Sequence, residues 1–357
     1  MSAETSQWLN QNTLIGFTDN RGHAWHYRAD DQGAEPNHYP LAIPVADVQR
    51  RLFNWKAVER KVLIEVPATF DDMMALDANG NPVRYIATDR KAITADDNDH
   101  LFEIFKSGYV AHDYNEWLIE HVANILDDNL QISSAGLLRN RAVAWVEVSV
   151  PDNIKTPEGV EFRPNLLACT SFDGSLATTY KRTVQLVVCD NTMAMALQEK
   201  GQTLKVKHSK YSKARIGDAR SALEVVFDVG EAFSEEIARL TRIDVTDNQF
   251  TKVLDELVPV VDDEGRKRTV ALNKRDQLHT MYAADARVRD WKGTAFGVLQ
   301  AFNTYNHHEG TLRDTSGTGR TDRELRAERN MLNAIDGSTD KADNLVLDAI
   351  NKVLSLA

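Results

Sequence analysis

Two alternating segments flank Asp173-Gly174, Phe162–Phe172 before it and Leu176–Val188 after it. Asp-Gly between two such runs is a strong hairpin signal, because the favoured two-residue turn takes positive φ at both central positions. Upstream, Ala142–Val150 sets Ala144, Val146, Val148 and Val150 on one face, with Glu147 and Ser149 opposite. Three such segments in succession predict an antiparallel β-meander. Asp190, Asn191 and Thr192 are each good N-caps, so a helix is expected over Met193–Lys200, with Gly201 just past its end. In the last strand Leu176, Tyr180, Val184, Leu186 and Val188 form the apolar face. Ala177, Thr179, Lys181, Thr183 and Gln185 form the other, which reads as solvated polar surface.

The remaining chain divides around this meander. Residues 1–42 are polar, with little periodicity, and read as a loop-rich arm. Pro44–Trp55 reads as a short helix, and Lys61–Pro67, Val83–Thr88 and Leu101–Tyr109 as strands. Asp113 is placed to cap a helix running to about Asp128, with Tyr114, Trp117, Leu118, Val122 and Ile125 as its apolar stripe. After the meander, Ser212–Arg242 predicts a long amphipathic helix. Asn273–Ala284, Gly293–Tyr305, Arg323–Ile335 and Ala342–Leu356 predict further ones, with Thr315–Thr321 as a flexible connector. The expected fold class is therefore α+β: an antiparallel β-meander followed by a helix (a β-β-β-α core), with a largely helical C-terminal half. Three regions are expected: 1–130, α+β with the arm; 131–245, the meander and long helix; and 246–357, helical.

Charge is unevenly spread. The formal net charge is −11, yet Leu204–Arg220 carries six Lys or Arg against one Asp, a local +5 that leaves −16 on the rest. Such a chain does not bind polyanions over its whole surface, so any such contact comes from a local patch. Lys205, Lys207, Lys210, Lys213, Arg215 and Arg220, with His208 and Tyr211, make that patch. Clustered cations beside aromatic rings suit single-stranded nucleic acid, because cations track phosphates and rings stack on bases. Lys181 and Arg182 on the preceding strand extend the set, and Tyr180 and Tyr211 are the stacking candidates. The competing reading is a solvated surface that offsets acidic neighbours.

No chemical step is indicated. The chain shows no HExxH, GxSxG or P-loop pattern, so neither a catalytic residue, a metal ligand nor a cofactor is expected. Asn306-His307-His308-Glu309 reads as a helix end with Gly310 as its stop, since adjacent positions on a helix do not converge. Cys169 and Cys189 form no CxxC and no disulfide framework. They fit a reducing cytosol, and Cys169 should lie opposite a residue near 178. No apolar stretch approaches a membrane span, and the N-terminus lacks a secretory pattern, so no membrane contact and a cytoplasmic location are expected.

Several stretches together resemble the phage/plasmid-like family bearing domain of unknown function 932. They are FKSGYVAHDYNEWL (Phe105–Leu118), SFDGSLATTYKRTVQLVVCDNTM (Ser171–Met193), KVKHSK (Lys205–Lys210), WKGTAFGVLQAFNTYNHHEG (Trp291–Gly310) and RAERNML (Arg326–Leu332). The resemblance implies phage DNA metabolism and carries no settled activity. By topology alone, three antiparallel strands followed by a helix resemble the core of Rad52-type single-strand annealing proteins. The expected function is single-stranded DNA binding and annealing by a homo-oligomer, with phosphates held by Lys181, Arg182 and the basic patch. The alternative is a structural or regulatory phage protein whose basic patch docks an acidic host or phage protein partner.

Overall fold

The structure, a computed structural model, describes residues 6–21, 29–32, 34–125, 131–149, 154–186, 192–193, 203–213, 226–260, 265–310, 312, 325–326, 329–330, 333 and 337–355. Within the segment expected to be a loop-rich arm lie helix α1 (Ser6–Asn12) and strand β1 (Thr13–Ile15). Leu14 of that strand is fully buried. A three-residue strand is too short to show periodicity, and its ladder partner lies more than a hundred residues away, Leu14 opposite Ala135. Helix α2 (Val45–Arg51) follows, with Pro44 as the residue at its N-cap.

A second, separate sheet comprises β2 (Ala57–Pro67), β3 (Ala75–Leu76), β4 (Pro82–Ala95) and β5 (Leu101–Lys106). Its order is β2-β4-β3, with β5 on the inner part of β4. Strands β2 and β4 are longer than their apolar alternation indicates and pair from Ala57–Ala95 out to Pro67–Val83. At the inner end Ile93 and Ala95 are buried, whereas at the outer end Leu63, Ile64, Tyr85 and Ile86 are exposed. Successive strand residues point to opposite faces, so this stretch is uncovered on both, while Val83 beyond it is buried beside β3.

Asn115–Glu120 forms a π-helical turn that continues as an α-helix over His121–Ile125, together α3. Asp113 caps it as expected: its carboxylate accepts from the Glu116 amide at 3.1 Å. Tyr114, Trp117, Leu118 and Val122 are buried.

The main sheet adds β6 (Gln131–Leu138), β7 (Val143–Ser149), β8 (Ile154–Lys155), β9 (Glu161–Ser171), β10 (Thr178–Leu186), β11 (Thr192–Met193) and β12 (Thr203–Val206). Its order is β1-β6-β7-β9-β10-β11, with β8 on β9 and β12 on β10. The three expected strands are β7, β9 and β10, adjacent and antiparallel. They are preceded by β6, which sequence patterning did not reveal. Seven of the eight β6 residues are buried, so the strand does not alternate. Cys169 pairs with Thr179, one position from expectation, and is a free buried thiol. Cys189 lies outside the described residues.

The helix expected from Met193 is not where it was expected to begin. Thr192 and Met193 pair with Gln185 and Val184 and continue the sheet. Asp, Asn and Thr serve turns as readily as N-caps, which is why the cap signal misled. Residues 194–202 lie outside the described residues.

One face of the meander, carrying Val146, Val148, Leu166, Ala168 and Tyr180, packs on α2 and α3 in a core that also takes Ile93 from β4. The opposite face holds Trp145, Leu167 and Cys169 against Leu9 of α1. The C-terminal half is helical: α4 (Val226–Thr241), α5 (Asp247–Leu257), α6 (Arg266–Ala284), α7 (Ala295–His308) and α8 (Ser338–Leu354). Phe233, Phe250, Leu278, Phe296 and Ile350 share a core that Val160 and Phe162 join to the sheet. Ser212 and Lys213 begin a helical turn, but residues 214–225 of the expected long helix lie outside the described set, as do the Thr315–Thr321 connector and most of Arg323–Ile335. No helix is long and apolar enough to cross a membrane among the described residues.

Candidate nucleic-acid interface

Strand β12 lies on the edge of β10, with Lys205 opposite Thr179. Alternation sends Leu204 and Val206 inward and leaves Lys205 and Lys207 exposed. The two lysines are about 6.6 Å apart along the strand. A turn follows in which Ser212 accepts from the Ser209 amide at 2.9 Å and donates to the Lys207 carbonyl at 2.8 Å. This turn presents Lys210 and Tyr211, the Lys210 ammonium 5.0 Å from the Tyr211 ring centroid and the ring 67% exposed. Lys205, Lys207 and Lys210 have no carboxylate partner among the described residues. Lys213 does: its ammonium lies 2.7 Å from Glu116 of α3.

His208 anchors this turn from beneath. Phe105, Tyr109, His208, His112 and Trp117 form one stack of five rings, with successive centroids 3.7, 5.0, 4.0 and 3.6 Å apart. The stack joins β5, the start of α3 and the turn after β12. Burial holds both imidazoles neutral, pushing His112 down to about 2 and His208 down to about 4. Hydrogen bonds fix their tautomers. The Val110 carbonyl can only accept, so His208 Nδ1 donates to it at 3.1 Å and Nε2 accepts from Thr170 at 3.2 Å. Thr178 then donates to Thr170 at 2.7 Å, and His112 Nδ1 donates to Thr178 at 2.5 Å. His208 thus positions the lysine-bearing turn rather than contacting a phosphate as a cation.

The other expected residues fall elsewhere. Lys181 is 4% exposed and pairs with Asp340 of α8. Thr179 and Thr183 are buried beside it, so the polar face of β10 is not solvated. Asp340 of α8 meets Lys181 on this face, and the face is satisfied internally: Glu147 accepts from Asn165 at 3.0 Å, Ser134 at 3.1 Å and Thr183 at 3.4 Å. Tyr180 is fully buried and donates to the Trp117 carbonyl at 2.7 Å, which removes it as a stacking ring. Arg182 lies on β10 opposite Leu166, on the parity of Tyr180. Arg215 and Arg220 lie outside the described residues. The fold therefore gathers Lys205, Lys207, Lys210, Tyr211 and Lys213 on one edge and separates Lys181 from them.

A family model described as Domain of unknown function (DUF932) matches residues 102–331, well over half the chain. The chain belongs to that family. No curated protein and no solved structure matches it. The matched span of this DUF932 chain contains β6 to β12, the ring stack and the lysine turn, and it ends before α8.

Proposed function

We propose that this DUF932 chain binds and anneals single-stranded DNA in phage-type recombination or replication. It would work as a homo-oligomer in the host cytoplasm with no chemical step. One observation carries the reading: the exposed, unpaired ammonium groups of Lys205, Lys207 and Lys210, with Tyr211 beside them, on an otherwise acidic molecule. Cations at strand spacing suit a phosphate backbone, and an exposed ring suits an unstacked base. The Rad52-type analogy now rests on the meander alone, because Thr192 and Met193 continue the sheet.

Gel retardation with labelled single-stranded and duplex oligonucleotides tests this reading. Wild-type protein should shift the single strand preferentially. Replacing Lys205, Lys207 and Lys210 together by Glu should abolish the shift without changing the circular dichroism. Three lost phosphate contacts correspond to a log-log salt slope of about 2 for single strands. No retardation by wild-type protein at low salt would reject the proposal, leaving a dock for an acidic host or phage protein as the use of this edge.

A further inference from the structure

A cavity of about 230 Å³ opens between the C-terminal half of α7, Arg329–Asn330 and the first turns of α8. Its α8 wall begins beside Asp340, which meets Lys181 on the face of β10 opposite Tyr180. Residues of two of the family-like stretches line it, Asn303, Asn306, His307 and Gly310 from one and Arg329 and Asn330 from the other. Its inner wall is polar and unusually buried. Asn303 and Asp343 are 1% and 2% exposed, and the Asn303 amide donates to Asp343 Oδ1 at 3.1 Å. Asn303 Oδ1 and Asp343 Oδ2 are both buried without a hydrogen-bond partner. Leaving such groups unmet is costly, which marks a place where a donor is missing. His307 adds a third acceptor. Its Nδ1 donates to the Asn303 carbonyl at 2.9 Å, so Nε2 keeps its lone pair.

The cationic group at the rim is already committed. Arg329 donates to the Asn306 and Gly310 carbonyls at 2.5 and 3.3 Å, and Asn330 donates to the His307 carbonyl at 2.9 Å. These contacts close the C-terminus of α7. What remains unmet in the buried part of the wall is a pair of acceptors, so a donor-rich group fits there. A metal centre does not fit, since no group of three or more His, Cys, Asp or Glu side chains converges among the described residues.

We propose that this cavity holds a small organic ligand by a primary ammonium or amidinium group, received by Asp343, Asn303 and His307. The volume equals that of about eight waters, enough for a ligand of several heavy atoms. Burial pushes the Asp343 carboxyl up to about 7, and a bound cation would restore its carboxylate form. The site is independent of the lysine edge and stands whether or not the chain binds DNA.

Titration calorimetry of the full chain with putrescine and agmatine, with butanediol as the uncharged match, tests the proposal. Both amines should bind at one site per chain with a dissociation constant below about 1 mM, and butanediol should not bind. Asp343→Asn should weaken binding by about tenfold or more. Asp348→Asn, at an exposed position on the same helix, should leave it unchanged. If Asp343→Asn does not fold, His307→Gln supplies the same reading. Equal binding of butanediol, undiminished binding by the folded Asp343 or His307 variant, absence of amine binding, or an equal loss in Asp348→Asn would each overturn it.

Discussion

His112 and His208 stand in the ring stack as neutral imidazoles, at about 2 and about 4 against an ordinary value of 6.5. Below pH 6.5 the unfolded chain takes up protons that the folded stack refuses. The stability contributed by the neutral rings is complete above 6.5 and is lost as pH falls toward 4. Urea denaturation midpoints should therefore drop over that window, and His208→Gln should flatten the drop. An unchanged slope in the variant would show that the stack does not govern it. Asp343 acts with the opposite sign. Its carboxyl, raised to about 7 from 3.8, keeps a proton that the unfolded chain has released. Its penalty grows from pH 4 to pH 7 and is constant above, on the order of 4 kcal/mol. Relative to the parent, Asp343→Asn should gain stability between pH 4 and pH 8, and a difference that does not change with pH would contradict the burial argument.

At the scale of elements, close backbone approach decides two positions. A Cβ on Gly136 of β6 would come 2.1 Å from the Trp145 ring, which lies directly across the ladder. A Cβ on Gly297 of α7 would come 2.1 Å from the Trp291 carbonyl. Gly136→Ala should displace a fully buried indole and cost about 1–3 kcal/mol. Gly297→Ala should cost at least as much, because the obstructing atom is backbone. Equilibrium denaturation measures both, and wild-type midpoints would refute the packing described. The turn joining β6 to β7 is strained differently: Arg139, Asn140 and Arg141 have φ of 52°, 50° and 70°. Arg141 is held there by Asp97 at 2.9 Å and by the Trp55 ring at 4.3 Å, and Arg139 by Asp173 at 3.3 Å.

At the scale of the molecule, the outer half of the β2–β4 hairpin stands apart from the cores. The main cores draw on Ile93 and Ala95 at its base but on nothing between Leu63 and Ala87. A two-stranded ribbon joined at its tip by the two-residue β3 buries little apolar surface and adds little stability of its own. Replacing residues 63–87 by a two-residue Asn-Gly turn should leave the thermal midpoint within about 4 °C of the parent. A fall well beyond that would mean the arm supports the fold.

Local signals carried the meander, the Asp113 cap and most helices, because alternation, turn chemistry and 3.6-residue periodicity act between near neighbours. The basic edge was legible for the same reason: Lys205, Lys207, Lys210 and Tyr211 are close in sequence as well as in space. Four outcomes were not legible. Strand β6 is buried on both faces and shows no alternation. Thr192 and Met193 found ladder partners that a cap pattern does not reveal. Lys181 met Asp340 across more than 150 residues and left the surface. Asn303 and Asp343, on helices forty positions apart, became partners in a cavity wall. Composition and periodicity determined the α+β class and the location of the unbalanced charge. Which polar groups face water and which are sealed between sheet and helices was decided by long-range packing, because burial is a property of the layer that covers a residue rather than of the residues beside it in the chain.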